Sequence, residues 1–197
     1  MSLTKWSIDP THTEITFKVK HLMITTVTGK FTEYSAEVEA EGDDFHSAKK
    51  IEFSADINSI DTGNEQRNAH LRSSDFFNVE ENPKIHFSGT KYVGNGDEAK
   101  LYGNLTIAGV TKPLVLDVEF GGIVKDPWGG ERAGFSIKGK LSRKDFGMTY
   151  NAALEAGGVV VGDEVKINAE VELVKQAAAE DVKSDELKKE VLEEQAK

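Results

Sequence analysis

The chain has 197 residues, with 24 basic and 34 acidic side chains, a net charge of −10 and no cysteine. This length suits one well-cored domain, with or without a tail. The charge gives no overall basic footprint for nucleic acid or an anionic membrane, and the lack of cysteine excludes disulfide scaffolds, thiolate metal sites and cysteine nucleophiles.

The N-terminus, MSLTKWSIDPT, has no basic segment followed by an apolar run, and no stretch of the chain approaches the roughly eighteen apolar residues of a membrane-spanning helix. We therefore expect no integral membrane segment. We also expect a cytoplasmic location for the chain as it stands, and a periplasmic one if a cleaved leader precedes it.

Most of the chain up to about residue 175 alternates between apolar and polar side chains, as strands with one buried face do. In TEITFKVKH, for example, Ile15, Phe17 and Val19 share one face. The alternation recurs over residues 34–38, 51–57, 85–87, 101–107, 116–120, 135–141 and 165–173, with a shorter candidate at 5–9. Turns rich in Gly, Asn and Asp separate these segments, which indicates antiparallel neighbours.

About eight antiparallel strands around one core can form either a sandwich or a closed barrel. Periodicity alone leaves both architectures open. The long segments near 111–125 and 131–145 favour closure, because they exceed the usual strand length in a sandwich.

Residues 176–197 differ in kind from the rest of the chain. The run AAAEDVKSDELKKEVLEEQAK has seven acidic and four basic residues and no deep apolar stripe. We interpret it as a charged tail, helical or disordered, that the domain over residues 1–175 does not need. The alternative is a weak partner helix or a cap across one end of the domain.

Residues 61–82 interrupt the strand pattern, and a segment of that length in a compact domain is usually functional. TGNE at 62–65 matches a capping box, which predicts a helix from about residue 63 to 73. Its side chains are polar on nearly all sides, so it should lie across the rim of the sheet. We expect Phe76 and Phe77 to follow in extended geometry, one ring entering the barrel mouth and one lying outside.

No motif indicates a catalytic nucleophile, a phosphate loop or a zinc-protease helix. The histidines are scattered, and only Asp9 and His12 have a spacing that places two metal ligands on one turn. A metal or hydrolytic site is therefore disfavoured. Three pairs are interpreted first as ion pairs or turn caps that hold strand ends in place: Asp9 with His12, Arg67 with Asp75, and Arg143 with Asp145.

The sequence also contains a set of spaced blocks: WSIDPTHT (6–13), FKVKHL (17–22), VTGKF (27–31), SIDTG (59–63), RNAHLR (67–72), DFF (75–77), PKIHF (83–87), GNLTIAGVTKP (103–113) and SRKDFG (142–147). Together they resemble the YceI family of bacterial proteins over residues 5–175, and the tail is not part of the resemblance. One departure is Asn68, where the family usually has an acidic residue, and this weakens any local ion pair.

The resemblance implies an all-β, lipocalin-like closed antiparallel barrel of eight strands, with a helix over one end and an elongated hydrophobic cavity for a polyisoprenoid or similar long-chain lipid. We interpret the protein as one that sequesters or carries such a lipid, without catalysis, cofactor or nucleic-acid partner. Transport and a stress response are further expectations. A homodimer is compatible with exposed strands, but no sequence feature demands one.

Two alternatives stay open: an enzyme that acts on such a lipid through Arg67, His70 and Asp75, and a barrel with a packed interior. At about 0.8 kcal/mol per buried CH₂, a chain of roughly fifteen carbons gives about 12 kcal/mol gross, so hydrophobic energy is plentiful. Selection by chain length should therefore come from the length of the cavity, because affinity has a practical ceiling.

The candidate ligand-binding residues are the apolar members of alternating strands: Phe17, Val19, Phe87, Ile107, Phe120, Phe135 and Ile137, with Phe76, Trp128 and Met148 nearer the openings. The candidate head-group residues at the mouth are Arg67, His70, Arg72 and Asp75. An inward side chain fills a core and lines a cavity by the same chemistry, so the sequence does not separate the two roles.

Overall fold

A computed structural model describes residues 3–152 and 159–177. In this part of the chain there are eleven strands: β1 (Leu3–Ile8), β2 (Glu14–His21), β3 (Thr25–Phe31), β4 (Tyr34–Glu41), β5 (Lys50–Asp56), β6 (Ile60–Asp61), β7 (Lys84–Asn95), β8 (Glu98–Ile107), β9 (Val110–Lys125), β10 (Glu131–Ser142) and β11 (Val161–Lys175). One α-helix, α1 (Glu65–Arg72), and three 3-10 turns (Phe45–Ser47, Ile57–Ser59 and Arg143–Phe146) complete the described elements. The predicted tail from residue 178 onward lies outside the described residues.

Eight of these strands close into an antiparallel barrel, in the order β1, β4, β5, β7, β8, β9, β10, β11. The ring closes because β1 pairs with β4 along one edge and with the end of β11 along the other, where Trp6 lies opposite Lys175. The predicted eight-stranded barrel is confirmed, and the sandwich alternative is wrong.

The remaining strands, β2, β3 and β6, continue from β11 as a side flap. One edge of β11 serves two partners, since residues 161–170 pair with β2 and residues 173–175 pair with β1. β3 pairs with β2 along its length, but its other edge meets β6 only at Lys30 and Phe31. Within the described residues, the second edge of Thr25–Gly29 therefore has no strand partner.

An aromatic cluster closes the barrel near the end of β11. Trp6 is fully buried, and the ring of Phe45 packs against it at 5.2 Å between centroids. The same Phe45 ring lies 4.9 Å from Phe135 and 5.7 Å from Phe120. Four aromatic rings thus fill this end of the barrel.

Helix α1 lies at the other end, near the start of β11, and begins later than predicted. Its N-cap is Asn64, whose side chain accepts a hydrogen bond from the Arg67 N–H at 2.9 Å. Thr62 is instead buried, and its N–H and hydroxyl donate to Asn68 Oδ1 at 2.9 and 2.7 Å. The predicted capping box is therefore wrong, because the Thr62 side chain is bound to Asn68.

No helix among residues 3–152 and 159–177 combines the length and apolarity needed to cross a membrane.

Candidate ligand-binding cavity

A cavity of about 480 Å³ runs through the barrel between its strand walls. Inward residues of β11 line it from Val161 to Leu173, so it extends along nearly the whole strand. Ten of the predicted site residues lie on its wall: Phe17, Val19, Arg67, His70, Phe76, Phe87, Ile107, Phe135, Ile137 and Met148. The alternative of a fully packed interior does not describe this barrel.

Four predicted site residues do not line the cavity. Phe120 faces inward, but it packs against Phe45 and Phe135 where aromatic rings fill the barrel. Trp128 lies in the β9–β10 turn with 84% of its surface exposed. Arg72 is turned outward, where it forms an ion pair with Glu65 and donates to the Asn58 carbonyl at 3.2 Å. The fourth residue, Asp75, lies outside the wall beside His70.

Glycines in the wall explain why large side chains leave space in the lumen. A Cβ added at Gly29 would lie 2.3 Å from Phe17 Cζ, and one added at Gly103 would lie 2.3 Å from Phe87 Cζ. Each ring therefore lies over a neighbouring strand, in the volume that a side chain would otherwise occupy. Rings whose far ends lie over glycine on a neighbouring strand extend less far toward the barrel axis.

The cavity reaches solvent at a polar rim, which consists of Arg67, His70, Arg143 and Tyr150. All four residues line the cavity, while Tyr150 is 39% exposed and the His70 side chain is 41% exposed. The His70 ring lies edge-on to Tyr150 at 4.8 Å. A ligand in the cavity would therefore meet polar groups mainly at this end.

Arg143 is the most buried charge of the rim, with 3% of its surface exposed. Its guanidinium donates to the carbonyls of Gly162 (3.0 Å), Met148 (2.7 Å) and Tyr150 (2.8 Å). Burial lowers the pKa of Arg143, and the nearby Asp163 carboxylate opposes that shift. The predicted pair with Asp145 is wrong, because the guanidinium binds backbone carbonyls across the barrel end.

The predicted Arg67–Asp75 pair is also wrong. Arg67 donates from Nε to Thr62 Oγ1 at 2.8 Å and from Nη2 to the Thr62 carbonyl at 2.7 Å, which fixes the start of α1. Asp75 lies instead 2.9 Å from His70 Nε2. The candidate cluster of Arg67, His70 and Asp75 thus divides into two separate contacts.

Both phenylalanines after α1 face the cavity, which corrects the expectation that one of them lies outside. Residues 74–77 form a turn, with the Phe76 N–H bonded to the Ser73 carbonyl at 3.1 Å, so the rings do not alternate as in a strand. Phe77 is buried and packs edge-on against Phe31 at 6.5 Å. Phe76 reaches Tyr150 at 5.2 Å.

Among the cavity residues that were not predicted are Phe77, Tyr150, Lys20 and His21. Lys20 and His21 end β2, and Tyr150 follows the SRKDFG block. Lys20, His21 and Phe77 lie within the quoted blocks and Tyr150 lies three residues after one, but membership of a block does not show the direction of a side chain.

A second polar cluster lies where β1 turns into β2. Asp9 accepts from Thr11 Oγ1 at 2.6 Å, lies 2.9 Å from His12 Nδ1, and accepts from Arg132 at 2.7 Å. These hydrogen bonds hold the pKa of Asp9 well below its usual range. The predicted Asp9–His12 contact is therefore present in the structure.

Asp9, His12 and Glu172 offer ligand atoms within 4.8 Å of one another, which is a spacing that a metal ion could use. Arg132, however, donates to both carboxylates and also to Asp126 at 3.0 Å. Its pKa is raised by these hydrogen bonds. The guanidinium already supplies the positive charge that a cation would bring, so the cluster is arranged as an ion-pair network.

Comparison with known proteins assigns the chain to a family. The model of the YceI-like domain matches residues 6–173. A UPF0312 protein of Staphylococcus epidermidis is 41% identical over 173 residues, which cover 86% of this chain and 97% of the relative. A UPF0312 protein of Staphylococcus aureus is 40% identical over 171 residues, with the same coverage of 86% and 97%.

Solved structures agree with this assignment. The YceI protein of Campylobacter jejuni is 36% identical, with a TM-score of 0.69 over 80% of this chain and 90% of that one. A polyisoprenoid-binding domain from Saccharophagus degradans shares the fold at 15% identity, with a TM-score of 0.61 over 85% and 97% of the two chains. The resemblance inferred from the sequence blocks is confirmed, and the chain belongs to the family of proteins with a YceI-like domain.

Proposed function

We propose that this protein binds a long-chain amphiphile, a polyisoprenoid or a similar lipid, inside its barrel and sequesters or carries it without catalysis. The observation that carries the proposal is the cavity of about 480 Å³, whose wall is apolar along β11 and polar at one end. That volume lies within the range of about 300–1,000 Å³ that is usual for small-molecule sites.

The geometry of the cavity favours an elongated ligand with one polar end. Val165, Ile167 and Val171 present aliphatic side chains along the strand, and the aromatic cluster around Trp6 closes the far end. At about 0.8 kcal/mol per buried CH₂, even a short hydrocarbon chain supplies ample binding energy. A head group would remain at the polar rim, near Arg67, His70 and Tyr150, where hydrogen bonds and water are available.

The solved domain from Saccharophagus degradans is described as polyisoprenoid-binding, which supports the same ligand class for this barrel. The chemistry of the rim also favours binding over turnover. Arg143 and Arg67 are held by carbonyl groups and by Thr62, and His70 is paired with Asp75, so the charged groups of the rim are already engaged in contacts that fix this end of the barrel.

The test is native mass spectrometry of freshly purified protein, followed by solvent extraction and mass analysis of what dissociates. We expect a discrete mass that corresponds to a prenyl or long acyl chain, and the extracted protein should take up added polyprenyl lipid. A protein mass that stays unchanged with those lipids would contradict the proposal.

A matched pair of variants ties binding to the lumen. Ala169 is buried and lines the cavity, so Ala169→Phe should obstruct it, whereas Glu170→Phe places the same ring on the outer face of β11. We expect ligand to be lost in the first variant only. Turnover of the lipid that disappears in His70→Ala, with binding retained, would instead support the enzyme alternative.

A further inference from the structure

The turn between β2 and β3 exposes apolar side chains at its tip. Met23 is 58% exposed and Ile24 is 77% exposed. The turn is closed by a hydrogen bond from the Ile24 N–H to the His21 carbonyl at 3.2 Å, and Leu22 and Met23 have positive φ angles of 52° and 60°. Asn-Gly is the pair that such a turn prefers, so Leu-Met here is unfavourable both for the backbone and for solvation.

A row of lysines lies on the outer face of the strands beside this tip. In the strand register Lys18 of β2 is directly opposite Lys166 of β11, which is directly opposite Lys140 of β10. All three are exposed, and Lys20 and Lys138 flank them on the same face. Like charges placed directly opposite each other destabilise a sheet, so the fold does not explain this arrangement.

Acidic groups border the lysine row but leave most of it unpaired: Asp117 lies directly opposite Lys138 in the register, yet its ion pair is with Lys100 at 2.6 Å. Glu164 lies 3.7 Å from Lys140, and Asp163 is engaged by Lys144 and Arg143. Within residues 3–152 and 159–177, no carboxylate lies within ion-pair distance of Lys18, Lys20, Lys138 or Lys166. The chain carries a net charge of −10, so the lysine row has the opposite sign to the molecule as a whole.

The tip and the lysine row adjoin the open end of the cavity. The Leu22 N–H donates to the Val160 carbonyl at 2.9 Å, and His21 pairs with Val161. Val160, Val161, His21 and Lys20 all line the cavity, and the Arg143 guanidinium lies within reach of the Val161 carbonyl at 3.4 Å. The exposed apolar tip, the cationic face and the polar rim thus form one continuous surface.

We propose that this surface docks on an anionic phospholipid bilayer, with Met23 and Ile24 inserted among the lipids and the lysine row on the head groups. The charge of the face complements such a membrane, and a short uncharged tip between lysines is what shallow insertion requires. The net charge of the whole chain does not reveal this patch, because most acidic residues of the chain lie outside it. Docking itself is independent of the proposed function, whereas passage of lipid between bilayer and barrel rests on it.

The test is co-sedimentation of the full chain with vesicles of phosphatidylcholine alone or mixed with phosphatidylglycerol. We expect binding to the mixed vesicles that is at least tenfold stronger and that weakens with added salt. Equal partition to both vesicles, or no partition to either, would overturn the proposal.

Two variants separate the two parts of the surface. Leu22→Asn/Met23→Gly/Ile24→Thr installs the pair that the turn prefers and removes both apolar side chains of the tip, so the protein should fold at least as well and bind mixed vesicles at least tenfold more weakly. Lys18→Gln/Lys140→Gln/Lys166→Gln should lose the preference for phosphatidylglycerol, with an unchanged or raised Tm because repulsion is relieved. If the tip variant binds mixed vesicles as the wild type does, insertion of the tip is refuted. If the lysine variant keeps the wild-type preference for phosphatidylglycerol, the role of the lysine row is refuted.

The matched control replaces three lysines outside β2, β10 and β11: Lys49, Lys91 and Lys125, each by Gln. It changes the net charge equally, so an equal loss of vesicle binding would show that total charge, and not the lysine row, is responsible. Lipid uptake by native mass spectrometry is measured for every variant. Vesicle binding without any lipid uptake would reject the proposed function and leave docking intact, and the converse result would reject docking alone.

Discussion

Gly29→Ala tests whether the cavity depends on aromatic rings packed over glycine. The new Cβ would lie 2.3, 2.7 and 2.9 Å from three atoms of the Phe17 ring, far inside ordinary contact distance. If the ring stayed in place, overpacking would cost about 1–3 kcal/mol. The lumen gives the ring room to move, so we expect it to swing inward. The damage should then appear as lost ligand volume, with only a small loss of stability.

The assay combines thermal denaturation of the lipid-free protein with titration of a polyprenyl lipid. For Gly29→Ala we expect a Tm within about 4 °C of the wild type, since about 1 kcal/mol shifts the Tm of a chain of this size by about 2–4 °C. We expect the affinity to fall at least tenfold, which corresponds to about 1.4 kcal/mol. The control is Gly134→Ala, where an added Cβ would have no neighbour within 4 Å among the described residues.

The opposite pattern would refute this reasoning. If Gly29→Ala binds lipid like the wild type but loses several kcal/mol of stability, the Phe17 ring is part of a rigid wall and the cavity does not depend on its position. If Gly134→Ala loses as much affinity as Gly29→Ala, the loss of affinity is caused by any glycine-to-alanine change in a strand and not by movement of the Phe17 ring.

Three further predictions concern the ends of the barrel. Arg143→Met removes the donor for several buried carbonyls, each costing about 1–3 kcal/mol when unpaired, so the Tm should fall by about 10 °C in thermal denaturation; an unchanged Tm would contradict this role. The pKa of Asp9 is lowered in the folded protein, first by the hydrogen bond from Thr11. The ionised Asp9 carboxylate therefore stabilises the fold fully above the unfolded pKa of about 4, and this contribution is lost as the pH falls toward the folded pKa. Urea unfolding between pH 7 and pH 2 should show that loss, and Asp9→Asn should reduce it. Asn68→Leu leaves the buried Thr62 N–H without its acceptor and should cost about 1–3 kcal/mol by urea unfolding, whereas Asn68→Asp keeps the acceptor and should cost less.

The strands could be predicted where each inward position is apolar. β2 satisfies this condition with Ile15, Phe17 and Val19, and its alternation is regular. β3 was not predicted, because the inward position between Val27 and Phe31 is Gly29, so the period-two pattern is interrupted. The residue that fills that space is Phe17 on the neighbouring strand. The apolar pattern of one strand cannot show that a side chain from a neighbouring strand fills one of its inward positions.

Side-chain partners were less predictable than strands, because closeness in sequence is a poor guide to contacts between elements. Asp145 is two residues from Arg143, yet the guanidinium binds carbonyls as far away as Gly162. Trp128 is as apolar as a cavity residue, but it sits in a hairpin turn and faces solvent. The Asp9–His12 contact was predictable because a single tight turn joins the two residues.

The hollow interior is a property of pairs of residues and not of single ones. Period-two alternation determines which side chains face inward, but not how far they extend toward the axis. If Phe17 were opposite an alanine, it would be an ordinary core residue. If Gly29 were opposite a small residue, it would only weaken its strand. Placed opposite each other, they let a large apolar ring cover the wall while the lumen stays wide. Phe87 of β7 also lies over a glycine of the next strand, Gly103 of β8, although its direct partner in the register is Leu105, so contacts between neighbouring strands set the capacity for a ligand at two places in the barrel.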